Sequence, residues 1–105
     1  MIRHLVLFRF KPGVQADDAR VVAVRRAMAA LPDLIPFIRD WQHGLNLTAD
    51  AQAWDYGLAA AFDDENDLQR YFAHPAHLPV LAQWEAIAEL VFVDLASPAS
   101  ESNVH

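Results

Sequence analysis

The apolar positions of this chain follow two rhythms, and the switches between them divide it into six segments. Over residues 2–11 Val, Leu and Phe dominate, with Ile2, Val6, Phe8 and Phe10 on one face of an extended chain and Leu5 and Leu7 on the other. A strand apolar on both faces belongs in the middle of its sheet, and Pro12-Gly13 punctuates its end. Val21, Val24, Met28 and Leu31 then recur at helical spacing. Asp17 or Asp18 offers a cap to the free N–H groups of that helix, and Pro32 and Pro36 are expected to end it. Residues 37–46 predict an edge strand, because Trp41, His43 and Leu45 alternate with Asp40, Gln42 and Gly44. After a polar loop at 47–53, residues 54–62 are apolar or small almost throughout and predict a second central strand. Its Gly57, Ala59 and Ala61 share one face, which lets another backbone or sheet approach closely.

Asp63, Asp64 and Glu65 favour a helix start, and Leu68, Tyr71 and Phe72 form the apolar stripe that follows. His74-Pro75 interrupts this helix, since proline disfavours α geometry in the residue before it. It resumes with Leu78, Leu81, Trp84 and Ile87 or Ala88 expected inward, and with Pro79 in a first turn where its missing N–H costs little. Residues 90–95 predict the last strand. Residues 96–105 are small and polar and are expected to form a disordered tail, leaving one domain over 1–95. The order β-α-β-β-α-β is an α+β, ferredoxin-like arrangement with a four-stranded antiparallel sheet. That topology puts the first and third strands in the middle, as their apolar patterns independently require.

Composition adds a partner to this picture. A chain of 105 residues is one small domain, yet 54% of its residues are hydrophobic. That excess implies an apolar surface covered by association, and a homodimer is expected. A net charge of -6 with only 8 Lys and Arg leaves nothing to neutralise a phosphate backbone, so no nucleic acid and no anionic membrane are expected as partners. The absence of cysteine removes disulfide and thiolate chemistry and suits a reducing cytoplasm. The N-terminal apolar run is broken by Arg3, His4, Arg9 and Lys11, unlike a signal peptide.

Candidate chemistry gathers around the helix break. Tyr71 lies before Pro75 and His77 after it, so the break can turn both toward one cavity. His4 sits on the first strand, on the face of Val6 and Phe8. If that face meets the helices the three converge, with Phe72 and His74 alongside. A neutral imidazole, with a reference pKa near ~6.5, can take a proton from a carbon flanked by two carbonyls. A tyrosine hydroxyl can donate to the oxygen on which enolate charge develops. The plainer alternatives are that Tyr71 is a core aromatic, His77 a helix cap and His74 a filler of the turn. A metal centre on His4, His74 and His77 is disfavoured because Pro75 spoils the i,i+3 geometry and no carboxylates accompany it. No cofactor is expected either: with 3 Gly there is no phosphate loop, and no Ser occupies a nucleophile elbow. His43 is expected at an interface or pocket rim, and Trp41, Trp54 and Trp84 in the core or at dimer contacts. The acidic run Asp63, Asp64, Glu65 and Asp67 reads as a solvated helix start.

The segments MIRHLVLFRFKPG, WQHGLNLT, WDYGLAAAFDDENDLQRYFAHPAH and VFVDL, taken in order, resemble the stress-responsive A/B-barrel (Dabb) family over residues 1 to 95. The resemblance implies a dimeric α+β barrel in which two four-stranded sheets pack face to face. A plant branch of the family, the olivetolic acid cyclases, folds a linear polyketide by aldol condensation. Similarity to that branch implies Tyr71 and His77 as the working pair, with His4 as a further pocket histidine and a small apolar or polyketide-like ligand. The first helix departs from it, being rich in Val and Ala where the cyclase is more aromatic. Three readings therefore stand: an acid–base enzyme, a non-catalytic binding or stress-related dimer, and a haem- or oxygen-using relative that would need an axial histidine.

Overall fold

The computed structural model describes residues 1–97. Its elements are β1 (Ile2–Phe10), α1 (Ala19–Leu34), β2 (Asp40–Leu45), β3 (Tyr56–Phe62), α2 (Glu65–Phe72), α3 (His77–Ile87) and β4 (Ala88–Ala96). All pairings are antiparallel, and the strand order β2-β3-β1-β4 puts the two strands with apolar patterns in the centre. The ferredoxin-like α+β fold expected from the segment order is therefore present.

Strand alternation sorts the sheet into two faces. Val6 and Phe8 of β1, with Tyr56 and Leu58 of β3, are buried under Val21, Val24, Met28 and Leu31 of α1 and Val80, Trp84 and Ile87 of α3. The register lays His43, Leu58, Val6 and Phe92 side by side in one row on this helix-covered face, and Trp41, Ala60, His4 and Asp94 in the next. The opposite face carries no helix. Leu7, Val91, Val93 and Leu95 lie on it, each about half exposed, beside the small Gly57 and Ala59.

Asp18 caps α1, its carboxylate accepting from the Arg20 N–H at 2.9 Å, and Asp64 caps α2 through the Asp67 N–H at 2.8 Å. Pro32, expected to end α1, instead sits inside its last turn. A proline at that position lacks the N–H that would bond the Met28 carbonyl four residues back. The Trp41 indole N–H takes that carbonyl at 3.0 Å, so the helix continues to Leu34 before Pro36 stops it.

The second helix breaks where Pro75 predicts. In α3, however, Leu78 is 49% exposed, and Val80 joins Trp84 and Ile87 as the buried stripe. Two residues are roughly 200° of helix, so once Val80 faces the sheet Leu78 must face away. No loop separates α3 from β4, which starts at Ala88 and runs beyond the expected 90–95. Ala96 pairs with Ile2 and the Ser97 N–H donates to the Met1 carbonyl at 2.7 Å, so the start of the expected tail is part of the sheet. The rest of that tail, His105 included, lies outside the described residues. Among the described residues no helix is long and apolar enough to cross a membrane.

Candidate functional site

A cavity of about 360 Å³ opens between the sheet and the α2–α3 pair on the β4 side. His4, Val6, Phe8, Tyr71, Phe72 and His77 all line it, so β1 and the broken helix bring together six of the seven residues singled out in the sequence. Met28, Leu58, Val80, Leu81, Trp84 and Leu90 supply further apolar wall, the exposed Glu85 adds a carboxylate, and Phe92, 63% exposed, forms an outer lip.

The α2–α3 break positions the central pair. Tyr71 is in the last turn of α2 and His77 begins α3; their ring centroids are 4.2 Å apart. The His77 Nδ1 lies 3.2 Å from the Phe72 carbonyl oxygen. A carbonyl only accepts, so Nδ1 carries the proton and donates, which leaves the Nε2 lone pair free. Burial lowers the pKa of His77; the Phe72 carbonyl opposes this, and the neighbouring His4 and His74 lower it further. The ring is therefore a neutral base near pH 7. Burial also raises the pKa of Tyr71, keeping its phenol a hydrogen-bond donor. None of the hydrogen bonds among the described residues uses that hydroxyl.

His4 is buried at 4% exposure, its ring 5.9 Å from Tyr71 and 5.3 Å from Phe72 between centroids. Its Nδ1 is 2.6 Å from the Asp94 carboxylate of β4, the residue directly opposite in the register. The carboxylate accepts from Nδ1–H, which holds the ring and leaves Nε2 as its remaining polar atom. The cavity thus offers one phenol O–H, the His77 lone pair and the His4 Nε2 among mostly apolar walls, with the Glu85 carboxylate on its exposed side. Asp94 escaped the sequence reading. Its one signal is an acid inside the apolar run 90–95, and only the strand register ties it to His4.

His74 is a correction. It does not line the cavity: its Nδ1 accepts the Ala76 N–H at 3.0 Å within the α2–α3 turn, and its ring faces Phe37. The break at Pro75 leaves the Ala76 amide in need of an acceptor, and His74 supplies it. His43, expected at an interface or rim, lies on β2 with its Nδ1 hydrogen-bonded to the Tyr56 hydroxyl, away from the His4 cavity. Among the described residues no three His, Asp or Glu side chains cluster as metal ligands would.

Comparison with known proteins places the fold. An uncharacterized protein of Streptomyces coelicolor is 40% identical over 94 residues, which are 90% of this chain and 97% of that one. A dimeric ferredoxin-like protein from Thermobifida fusca shares 32% identity and superposes with a TM-score of 0.81, over 91% of this chain and 90% of that one. The hydroxynitrile lyase of Passiflora edulis has the same fold at 16% identity, with a TM-score of 0.79 over 94% of each chain. The family profile described as the stress responsive A/B barrel domain (Dabb) matches residues 2–96, and the chain belongs to that family.

Proposed function

We propose that this protein is a homodimer whose cavity binds a small, neutral carbonyl compound and moves a proton on it. The observation that carries the reading is the Tyr71–His77 pair: a phenol O–H and a neutral imidazole lone pair, in contact, at the wall of one apolar cavity. A β-dicarbonyl, the unit from which polyketides are built, suits such a site. His77 Nε2 would take the proton from the carbon between the carbonyls, while Tyr71 donates to the oxygen that gains the negative charge. Returning the proton to a different atom isomerises the ligand, and attack of the enolate carbon on a second carbonyl closes a ring. His4, held by Asp94, presents Nε2 as a further polar contact for the ligand. No Arg or Lys lines the cavity and the exposed Glu85 is its one carboxylate, which disfavours an anionic ligand.

The dimer uses the helix-free face of the sheet. Leu7, Val91, Val93 and Leu95 leave an apolar surface there, and the small Gly57 and Ala59 let a second sheet approach. The Thermobifida relative is described as dimeric, which supports this assembly. The lack of cysteine suits a cytoplasmic setting.

Titration with 1-phenylbutane-1,3-dione, followed by amide NMR, tests the site. Shifts confined to the residues that line the cavity and their neighbours are expected. Shifts scattered over the surface, or none at millimolar ligand, would remove the binding claim. Sedimentation equilibrium checks the assembly: twice the chain mass is expected, and a monomer contradicts it.

A further inference from the structure

A second group of polar side chains sits beyond Leu58, away from the Tyr71–His77 pair. Five arginines have carboxylate partners: Arg3 with Asp40, Arg9 with Glu89, Arg20 with Asp18, Arg39 with Asp63 and Arg70 with Asp67. Arg25 and Arg26 of α1 have none among the described residues; Arg26 is exposed to water, whereas Arg25 is half-buried and its Nε is sealed from solvent without a hydrogen-bond partner. The Arg25 guanidinium lies 5.9 Å from the centre of the Tyr56 ring. Tyr56 is buried and its hydroxyl is bonded to the Nδ1 of His43, which fixes that imidazole on β2. Arg25 and His43 line an open cavity of about 630 Å³, with Leu45, Leu47 and Leu58 as apolar walls and the side-chain-free Gly44 and Gly57 at the sheet.

A guanidinium stays charged at any pH a protein meets, and a half-buried one without a counterion is short of electrostatic compensation. The shape of its donor fork matches a carboxylate. We propose that Arg25, with His43 beside it, forms a binding subsite for a small apolar carboxylate. The carboxylate pairs with the Arg25 fork, and the hydrocarbon part lies against Leu45 and Leu58. Burial lowers the pKa of His43, helped by the Arg25 charge, so His43 is neutral at pH 7 and contributes a hydrogen-bonding ring nitrogen rather than a second cation. Tyr56 does not reach the ligand; it holds the His43 ring. Gln42, Gly44, Gly57 and Ala59 belong to the face that meets the second copy, so the subsite opens at the border of the dimer and is tested in the assembled protein. It does not depend on the chemistry proposed for Tyr71 and His77.

The probe is sodium benzoate, with benzamide as its uncharged counterpart and sodium chloride at equal ionic strength as the control. The Arg25 Nε–H resonance of the wild-type dimer is followed by NMR. Saturable movement with benzoate, and little with benzamide or chloride, is expected. Arg25→Gln should weaken benzoate at least ~10-fold and Arg25→Lys by less, since a lysine keeps the charge but loses the fork. An Arg25 resonance that ignores benzoate in the wild type overturns the proposal, whatever the variants do. Equal responses to benzoate and benzamide also overturn it, by making the site merely apolar. A change of oligomeric mass in Arg25→Gln with benzoate affinity intact overturns it in favour of a carboxylate from the second copy as the partner of Arg25.

Discussion

Replacing Asp94 by alanine removes the acceptor that holds His4. The His4 side chain is 5% exposed and that of Asp94 27%, and they meet at 2.6 Å. Alanine leaves the Nδ1–H of His4 inside the sheet–helix layer without a partner, and an unsatisfied buried donor costs about 1–3 kcal/mol. Because Asp94 is partly open to water, solvent can reach part of the vacated space, which places the expected loss in the lower half, about 1–2 kcal/mol. Asp94→Asn keeps an acceptor oxygen but loses the charge, so it should cost roughly half as much. Removing both partners restores the balance: Asp94→Ala should cost much less in a His4→Phe background, where Phe72 and Phe92 give the new ring apolar neighbours. The assay is urea unfolding at pH 7.5 and one fixed protein concentration, since a dimer's apparent stability depends on concentration. The four species form a double-mutant cycle with an expected coupling of ~1 kcal/mol. A loss below about 0.3 kcal/mol in Asp94→Ala, or the same loss with and without His4, refutes the role given to this pair.

Trp41→Phe should destabilise by about 1–2 kcal/mol by stranding the Met28 carbonyl, and by less when combined with Pro32→Ala, whose restored N–H takes that carbonyl; equal losses in both backgrounds, by the same urea assay, would contradict the compensation. His77 and His43 both titrate below 6.5 in the fold because burial disfavours their charged forms. The unfolded chain then binds protons first, so this stability is fully present above pH 6.5 and is lost as pH falls through the folded values. His77→Gln should flatten the fall in Tm between pH 7 and 5, and an unchanged slope would contradict the assigned shift. Tyr71 carries the opposite sign: raised by burial, it leaves stability complete below pH 10 and erodes it above, where the unfolded phenol ionises first. Tyr71→Phe should lessen the alkaline loss of Tm. Val93→Glu places a charge between Val91 and Leu95 in the apolar row that β4 contributes to the helix-free face, where the side chain is 49% exposed within one protomer. It should give a folded monomer by sedimentation, and a retained dimer mass would move the interface elsewhere.

The elements whose period is set by burial were legible in the sequence. Val21, Val24, Met28 and Leu31 gave α1, and the two-sided apolar run of β1 gave its central place. Tyr71, His77 and His4 were legible as a group because Pro75 marks the break that turns the first two together. What failed depended on partners distant in sequence. Pro32 signals a helix end on local grounds, and nothing local shows that Trp41 will take the orphaned carbonyl. Asp94 becomes part of the site only through the β1–β4 register. His74 has the chemistry of its neighbours but spends it on a turn amide, and Arg25, next to Val24 in the helix sequence, shows its lack of a carboxylate partner among the described residues only in three dimensions.

The central claim, that Tyr71 and His77 move a proton on a bound carbonyl compound, is tested most directly by solvent deuterium entering the carbon between the two carbonyls of 1-phenylbutane-1,3-dione. The rate is read by NMR at pD 7 over the buffer background. The wild-type dimer should accelerate exchange saturably. His77→Gln should lose roughly 10²–10⁴ of that acceleration, the usual contribution of a positioned general base, and Tyr71→Phe should lose a smaller part while both variants keep the wild-type fold. Exchange no faster than buffer with ligand bound would make the cavity a binding site alone, and full exchange in His77→Gln would take the proton away from His77.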